Sequence, residues 1–259
     1  MCGTWAKCLP PVRLSGVRQC IFCAGKKLNR EDLWPVWVIK SVVGKRSSEI
    51  ERTLGRNVPV TYSGRFLKAR CVCERCNSGW MSQLEISCKP ILEPMFHDSA
   101  CAVGYREQLN IAAWVLKTAM VFECTKPDSA FYSTADRRHL YTWRTPPPDT
   151  FVWIGRYVNS HALFAENHYL SNAKSASALS EGCVTTFAIG RLVMQSFTAR
   201  RRPDAEGKRI TVRPKRGDWD RLLIRVWPTD NQVIRWPPPL HFGPSLDSLT
   251  ALASRLGPG

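Results

Sequence analysis

Apolar positions recur at helical spacing in some stretches of this chain and crowd into β-branched, aromatic runs in others. The clearest helical pattern is Glu107 to Glu123 (EQLNIAAWVLKTAMVFE), apolar around most of its circumference and so expected at the centre of the fold. A second helix is expected from Gly79 to Cys88, where Trp80, Leu84 and Cys88 share a face and Glu85 sits beside them. A third is expected from Arg137 to Trp143, capped by the preceding Ser133-Thr134-Ala135-Asp136. Within Asn29 to Ile39 a short helix is expected, with Asn29 or Asp32 as its cap and Pro35 in its first turn. Strands are expected at Val58 to Tyr62 and Arg65 to Val72, joined through Ser63-Gly64, then at Phe151 to Val158, His161 to Ala165, Val184 to Thr198 and Arg221 to Trp227. Gly190 marks a bend or turn inside the longest of these runs.

The remaining stretches punctuate this order. Residues 1–18 lack periodicity and contain Pro10-Pro11, which predicts a loose N-terminal extension. Gly44 to Arg56 is polar, as in a surface loop or short helix, and Ser245 to Leu256 reads as a short terminal helix. No internal repeat is visible. The expected fold class is therefore α+β, with a module over 19–89 and a larger, helical then strand-rich α+β region over 90–259.

Composition narrows the setting. The chain has 259 residues, enough to bury a core without disulfides. No run of about 18 apolar residues occurs; Asn110 to Cys124 is too short and Lys117 interrupts it. No continuous apolar stretch near the N-terminus suggests a secretory signal, so a cytoplasmic location is expected. The net charge of +16 favours a polyanionic partner, unless the protein is simply basic. The excess thickens at Arg200, Arg201, Arg202, Lys208, Arg209, Arg213, Lys215 and Arg216, a candidate nucleic-acid-binding stretch.

Eleven cysteines is an odd number, which argues against a complete disulfide framework. Cys20 with Cys23, and Cys73 with Cys76, form two C-x2-C pairs, each followed by small or turn-forming residues. Each pair can set two thiolates on one turn, and two such turns complete a tetrahedral structural zinc site. A disulfide or unpaired thiols are the alternatives, and Cys71 can stand in for Cys73. The other cysteines read as small buried hydrophobes or incidental thiols.

The order of these features resembles the zinc-knuckle, treble-clef branch of the HNH endonucleases found in bacteria and phages. That branch carries E-H-x-x-P-x-W followed by C-x-x-C-N-x-G-W-M-x-x-L-E. Here the segments read Glu31-Asp32-Leu33-Trp34-Pro35-Val36-Trp37 and Cys73-Glu74-Arg75-Cys76-Asn77-Ser78-Gly79-Trp80-Met81-Ser82-Gln83-Leu84-Glu85. The helix ending at Glu123 is similar to the branch's A-x-W-x-x-K-x-A helix. The resemblance implies a treble-clef (ββα-metal) fold and metal-dependent hydrolysis of DNA phosphodiester bonds. It also implies a structural Zn2+ and a catalytic Mg2+ or Mn2+.

By residue, the resemblance implies that Glu31 helps to hold the divalent metal, that Asn77 fixes the site's geometry, and that Glu85 takes the place of a final metal ligand. Asp32 occupies the position of the histidine that serves as general base. An ordinary aspartate, with a pKa of roughly 4, suits metal ligation better than proton abstraction near neutrality. An activity weakened by the missing histidine is therefore expected, with a catalytically inactive nucleic-acid-binding module as the alternative. His97 is the nearby histidine that could substitute. Structural readings stand beside these: Glu31 and Asp32 as a helix-dipole pair, Asn77 and Ser78 as knuckle closure and cap, and Trp34, Trp37 and Trp80 as core.

Overall fold

The computed structural model describes residues 18–43, 68–125, 130–158, 163–171, 179–201, 219–243 and 252. The expected strand at 58–62, the loop at 44–56, the extension over 1–17 and most of the terminal helix lie outside them, as do Arg202, Lys208, Arg209, Arg213, Lys215 and Arg216.

The chain is mixed α+β. Its N-terminal part is an antiparallel hairpin of β1 (Leu28–Asp32) and β2 (Lys68–Cys73), with α1 (Val36–Val43) between them in sequence. β1 replaces the expected helix cap. Asn29 pairs with Val72 across the hairpin, and its side chain donates to Glu74, so it does not cap a helix. Nor does Asp32: α1 starts beyond it, where the Pro35 carbonyl accepts the Val38 and Ile39 N–H groups. Pairing with a distant strand overrides local capping chemistry here.

β2 runs into one helical turn (Glu74–Cys76), a π-helical turn (Asn77–Met81) with a kink at Gly79, and then α2 (Ser82–Phe96). Trp80, Leu84 and Cys88 are buried on one face of this stretch, as the spacing predicts. α2 continues through Pro90 and Pro94, so the boundary expected near residue 90 falls inside a helix. One cluster of buried side chains runs from Cys20 to Trp236.

The core is organised around α3 (Tyr105–Glu123), whose residues from Ile111 to Glu123 are all buried. It packs on α2 on one side and on the strands Leu192–Arg201 and Leu223–Trp227 of the large sheet on another. α4 (Thr134–Trp143) begins with the expected cap: Ser133 and Asp136 form a reciprocal capping box. Between α3 and α4, Glu123 is fully buried. It accepts the Phe131 and Tyr132 N–H groups and pairs with Arg137 at 2.6 Å. Burial pushes its carboxyl up to about 6 against the opposing pull of Arg137.

The large sheet contains β4 (Thr150–Tyr157), β5 (Leu163–Ser171), β6 (Leu179–Ile189), β7 (Leu192–Arg201), β8 (Leu223–Trp227) and β10 (His241–Phe242). Its order is β10-β4-β7-β6-β5, with β8 also on β4; the short helix α5 (Trp219–Leu222) leads into β8. β3 (Cys101–Val103) and β9 (Ile234–Trp236) pair separately. The long run to Thr198 is thus a hairpin turning at Gly190-Arg191. Gly190 has φ of +55°, and a Cβ there would lie 2.5 Å from the Phe96 carbonyl oxygen. That oxygen accepts the Arg191 N–H, locking the turn to the end of α2. Gly190→Ala is expected to cost about 2 kcal/mol, read as a lower urea midpoint at unchanged m value.

Candidate functional site

Two C-x2-C turns meet at the foot of the hairpin. The first is closed by the Cys20 N–H donating to the Gly25 carbonyl and the Ala24 N–H donating to the Cys20 carbonyl, with Ala24 left-handed at φ of 60°. The Ile21 N–H donates to the Cys71 carbonyl and fixes this turn against β2. The second pair sits at the end of β2 and in the helical turn after it. The sulfurs of Cys20, Cys23, Cys73 and Cys76 all lie within 4.8 Å of one another, with Cys23 and Cys73 at 3.4 Å. A tetrahedron with metal–sulfur bonds of about 2.3 Å has edges of about 3.8 Å, so the four sulfurs fit a metal ion such as zinc. Burial pushes the Cys23 and Cys76 thiols up, whereas hydrogen bonds from the neighbouring cysteines bring Cys73 down; a bound cation would favour the thiolate form of all four.

Cys71, the possible stand-in for Cys73, takes no part in the quartet. β2 turns its side chain into the core beside Cys124, whose sulfur also receives the Arg137 guanidinium at 3.7 Å.

Beside this cluster lies a cavity of about 680 Å3 between β1, α1 and α2. Glu31, Asp32, Asn77 and Glu85 all line it, although 54 positions separate the first from the last. β1 contributes Arg30 as well, and α1 contributes Val36, Trp37, Lys40 and Ser41. From α2 the lining residues Glu85, Lys89 and Glu93 follow at four-residue spacing along one stripe.

The acidic pair splits between two faces of β1. The register between the strands slips by one between Asn29–Val72 and Glu31–Ala69, so β2 carries an extra residue opposite Arg30. Successive residues of a strand face opposite sides, so Glu31 turns inward and is 8% exposed, whereas Asp32 turns outward to pair with Lys68 at 3.0 Å. The readings of Glu31 and Asp32 as a helix-dipole pair therefore do not apply. Burial pushes the Glu31 carboxyl up to about 7; Lys117 opposes the shift, Glu85 and Asp32 add to it, and a hydrogen bond from the Asn77 side chain opposes it. Asn77 is thus aimed at Glu31 from the π-helical turn, while Ser78 donates back to the Glu74 carbonyl.

Glu85 pairs with Lys117 of α3 at 2.9 Å, and the Lys117 side chain is 2% exposed. In the sequence Lys117 stands as an interruption of an apolar helix and as the lysine of the A-x-W-x-x-K-x-A pattern, with no role attached to it. That interruption was the available signal, because a lysine on a buried helix needs a carboxylate partner. Arg30, Lys40, Lys89 and Glu93 were not singled out either. Among the described residues, the cysteine quartet is the only group of three or more His, Cys, Asp or Glu side chains drawn within 4.8 Å. Glu31, Asp32 and Glu85 ring the cavity without closing on one point.

His97 ends the α2 stripe, and its Nε2 lies 2.9 Å from the Ser41 hydroxyl. Twelve residues at 1.5 Å per residue set it about 18 Å along the axis from Glu85, which leaves it at the far end of the cleft. Of the aromatics, Trp34 and Trp80 are buried in the core, and Trp37 stacks on Phe96 while lining the cavity. In the basic stretch, Arg200 pairs with Asp136 and stacks over Phe131, and Arg201 pairs with Asp149. Both guanidinium groups are held by carboxylates.

No protein-family model matches the chain, and neither a curated protein nor a solved structure matches it. Among the described residues, no helix is long and apolar enough to cross a membrane.

Proposed function

We propose that the chain is an HNH-type endonuclease on a zinc treble clef, hydrolysing phosphodiester bonds of DNA. One observation carries this reading: two segments far apart in sequence bring Glu31, Asp32, Asn77 and Glu85 to one cavity beside the cysteine quartet. Structural zinc at Cys20, Cys23, Cys73 and Cys76 holds the two segments together.

The chemistry falls to Glu31. It is the buried carboxylate of the cavity, oriented by the Asn77 amide, and it titrates near 7. A water in the cavity could give up its proton to such a group as it attacks phosphorus, the task that a histidine performs in the family. Arg30, Lys40 and Lys89 around the cavity supply positive charge for the phosphate oxygens.

The arrangement does not fit a preformed Mg2+ or Mn2+ site. Asp32 and Glu85 are engaged by Lys68 and Lys117, and the three carboxylates do not converge. The same two ion pairs favour a second reading, a nucleic-acid-binding module without cleavage activity.

Protein stripped of exchangeable metal, then assayed for plasmid nicking alone and with Mg2+, Mn2+ or Ni2+, separates these readings. Nicking that is lost in Glu31→Ala is expected. Nicking left intact by both Glu31→Ala and Asp32→Ala would exclude this site, and salt-sensitive binding without nicking would establish the second reading.

A further inference from the structure

Among the described residues, one group of unpaired basic side chains is gathered on the cysteine-bearing hairpin, away from the Arg200 stretch. Lys26 and Lys27 are exposed in the loop between the first cysteine pair and β1. Arg70 is exposed on the outward face of β2, and its Nε donates to the Leu28 carbonyl at 3.3 Å, so its side chain lies across the start of β1 next to Lys27. Arg30 is exposed at the register slip and also lines the cavity. Arg75 is exposed in the turn after β2.

The acids of these segments offset little of this charge: Glu31 is turned inward and Asp32 is held by Lys68, which leaves Glu74, accepting from the Asn29 amide, as the one exposed carboxylate against five cations. Among the described residues, Lys26, Lys27, Arg30, Arg70 and Arg75 have no carboxylate partner. From Lys27 to Asp32 the strand spans about 17 Å at 3.4 Å per residue. Over that length duplex DNA presents about ten phosphates, one per 1.7 Å of axis.

We infer that the outward face of the β1–β2 hairpin, carrying Lys26, Lys27, Arg70 and Arg30, grips the phosphate backbone of a nucleic acid and leads it to the Glu31 cavity. The grip follows from charge complementarity alone; only the destination rests on the nuclease reading. Arg30 is the joint between the two, because it belongs both to the basic face and to the cavity wall.

The test uses the full zinc-loaded chain and a fluorescein-labelled 20-base-pair DNA, with anisotropy measured from 50 to 200 mM NaCl. The variant K26E/K27E/R70E reverses the face without touching the cavity. R106E/R138E/R235E makes the same change in net charge at exposed positions elsewhere. In the hairpin variant the slope of log K against log salt is expected to fall by about three, and affinity at 100 mM by at least about tenfold. The control variant is expected to keep the parent's slope within about one. Hydrolysis of bis(p-nitrophenyl) phosphate, a small diester that needs no grip, is expected to be equal in all three proteins.

Equal losses in both variants, no DNA binding by the parent, or binding only to phosphatidylserine vesicles would each overturn the inference. A parent that binds DNA through this face but hydrolyses no diester would retain the surface and remove the nuclease reading. Circular dichroism checks folding, and K26Q/K27Q/R70Q carries the same expectation at half the charge change if the reversal variant does not fold.

Discussion

Changing Cys73 to serine is expected to release the metal and loosen the N-terminal hairpin while leaving the large sheet folded. Binding of structural zinc to a four-ligand site is worth roughly 10–16 kcal/mol near neutral pH, comparable to the whole stability of an ordinary domain. Backbone hydrogen bonding alone holds this corner weakly. β1 and β2 form a two-stranded sheet of five and six residues, which is marginal by itself. The first cysteine turn is held by three backbone hydrogen bonds, one of them to β2. By contrast, α3 and the large sheet, whose buried Trp114, Val152 and Met194 belong to the same core as the quartet, are also held by their own helix packing and strand pairing, which need no metal.

Hydrogen exchange is therefore expected to show lost protection over 18–32 and 68–76 and retained protection over α3 and β7. Elemental analysis should find about one zinc per chain in the parent and well under one in Cys73→Ser. Cys101→Ser, which alters a cysteine outside the quartet, should keep both metal and protection. A parent without zinc, or a Cys73→Ser protein with unchanged protection, would sink the metal assignment.

The second large effect concerns Glu31. In Glu31→Gln, nicking is expected to fall by about 100-fold or more, the ordinary contribution of a positioned general base. Stability should move the opposite way. The folded-state value of about 7 lies above the ordinary 4.5, so below pH 4.5 both states hold the proton and Glu31 contributes nothing to the difference. Between pH 4.5 and 7 the unfolded state gives up its proton first, and the folded state loses stability as pH rises. Above pH 7 the full penalty stands, about 3 kcal/mol at 1.36 kcal/mol per unit.

Glu31→Gln removes that penalty, so it should be more stable than the parent at pH 8 and about equal to it at pH 4. Urea melts at the two pH values check this. Glu123, raised to about 6, keeps a smaller slope of the same sign in both proteins. A variant that loses both nicking and stability at pH 8 would mean that Glu31 is a structural carboxylate. Loss of nicking with gain of stability is the signature of a group held in an unfavourable place for its chemistry.

Much of this was legible in the sequence because the signals were local. The spacing of Cys20, Cys23, Cys73 and Cys76 picked out the quartet, the apolar run to Glu123 picked out the central helix, and Ser133 with Asp136 picked out a helix start. What stayed hidden depended on partners distant in sequence. The segment LNRED of β1 has no apolar alternation to declare a strand; it is one because β2 lies beside it, about forty residues later. β3 and β9 are three residues each and pair across more than a hundred positions. Arg200 and Arg201 read as phosphate ligands until Asp136 and Asp149 are placed against them. Lys117 acquires its meaning only with Glu85 at 2.9 Å.

The one-residue slip between β1 and β2 bears on how such a site tolerates insertions and deletions. Side chains along a strand follow a two-step parity, and because the extra residue lies in β2, its loss would leave Glu31 and Asp32 of β1 on the faces they now occupy. Losing Arg30 of β1 instead would shift that parity by one, sending Asp32 into the core and Glu31 outward. Because both members carry a carboxylate, the interior would receive an acid in either frame, and the exposed lysine would still find a partner. An adjacent pair of acids at a bulge is thus insured against a change of reading frame in the fold, a protection that a single acid flanked by a neutral residue would lack.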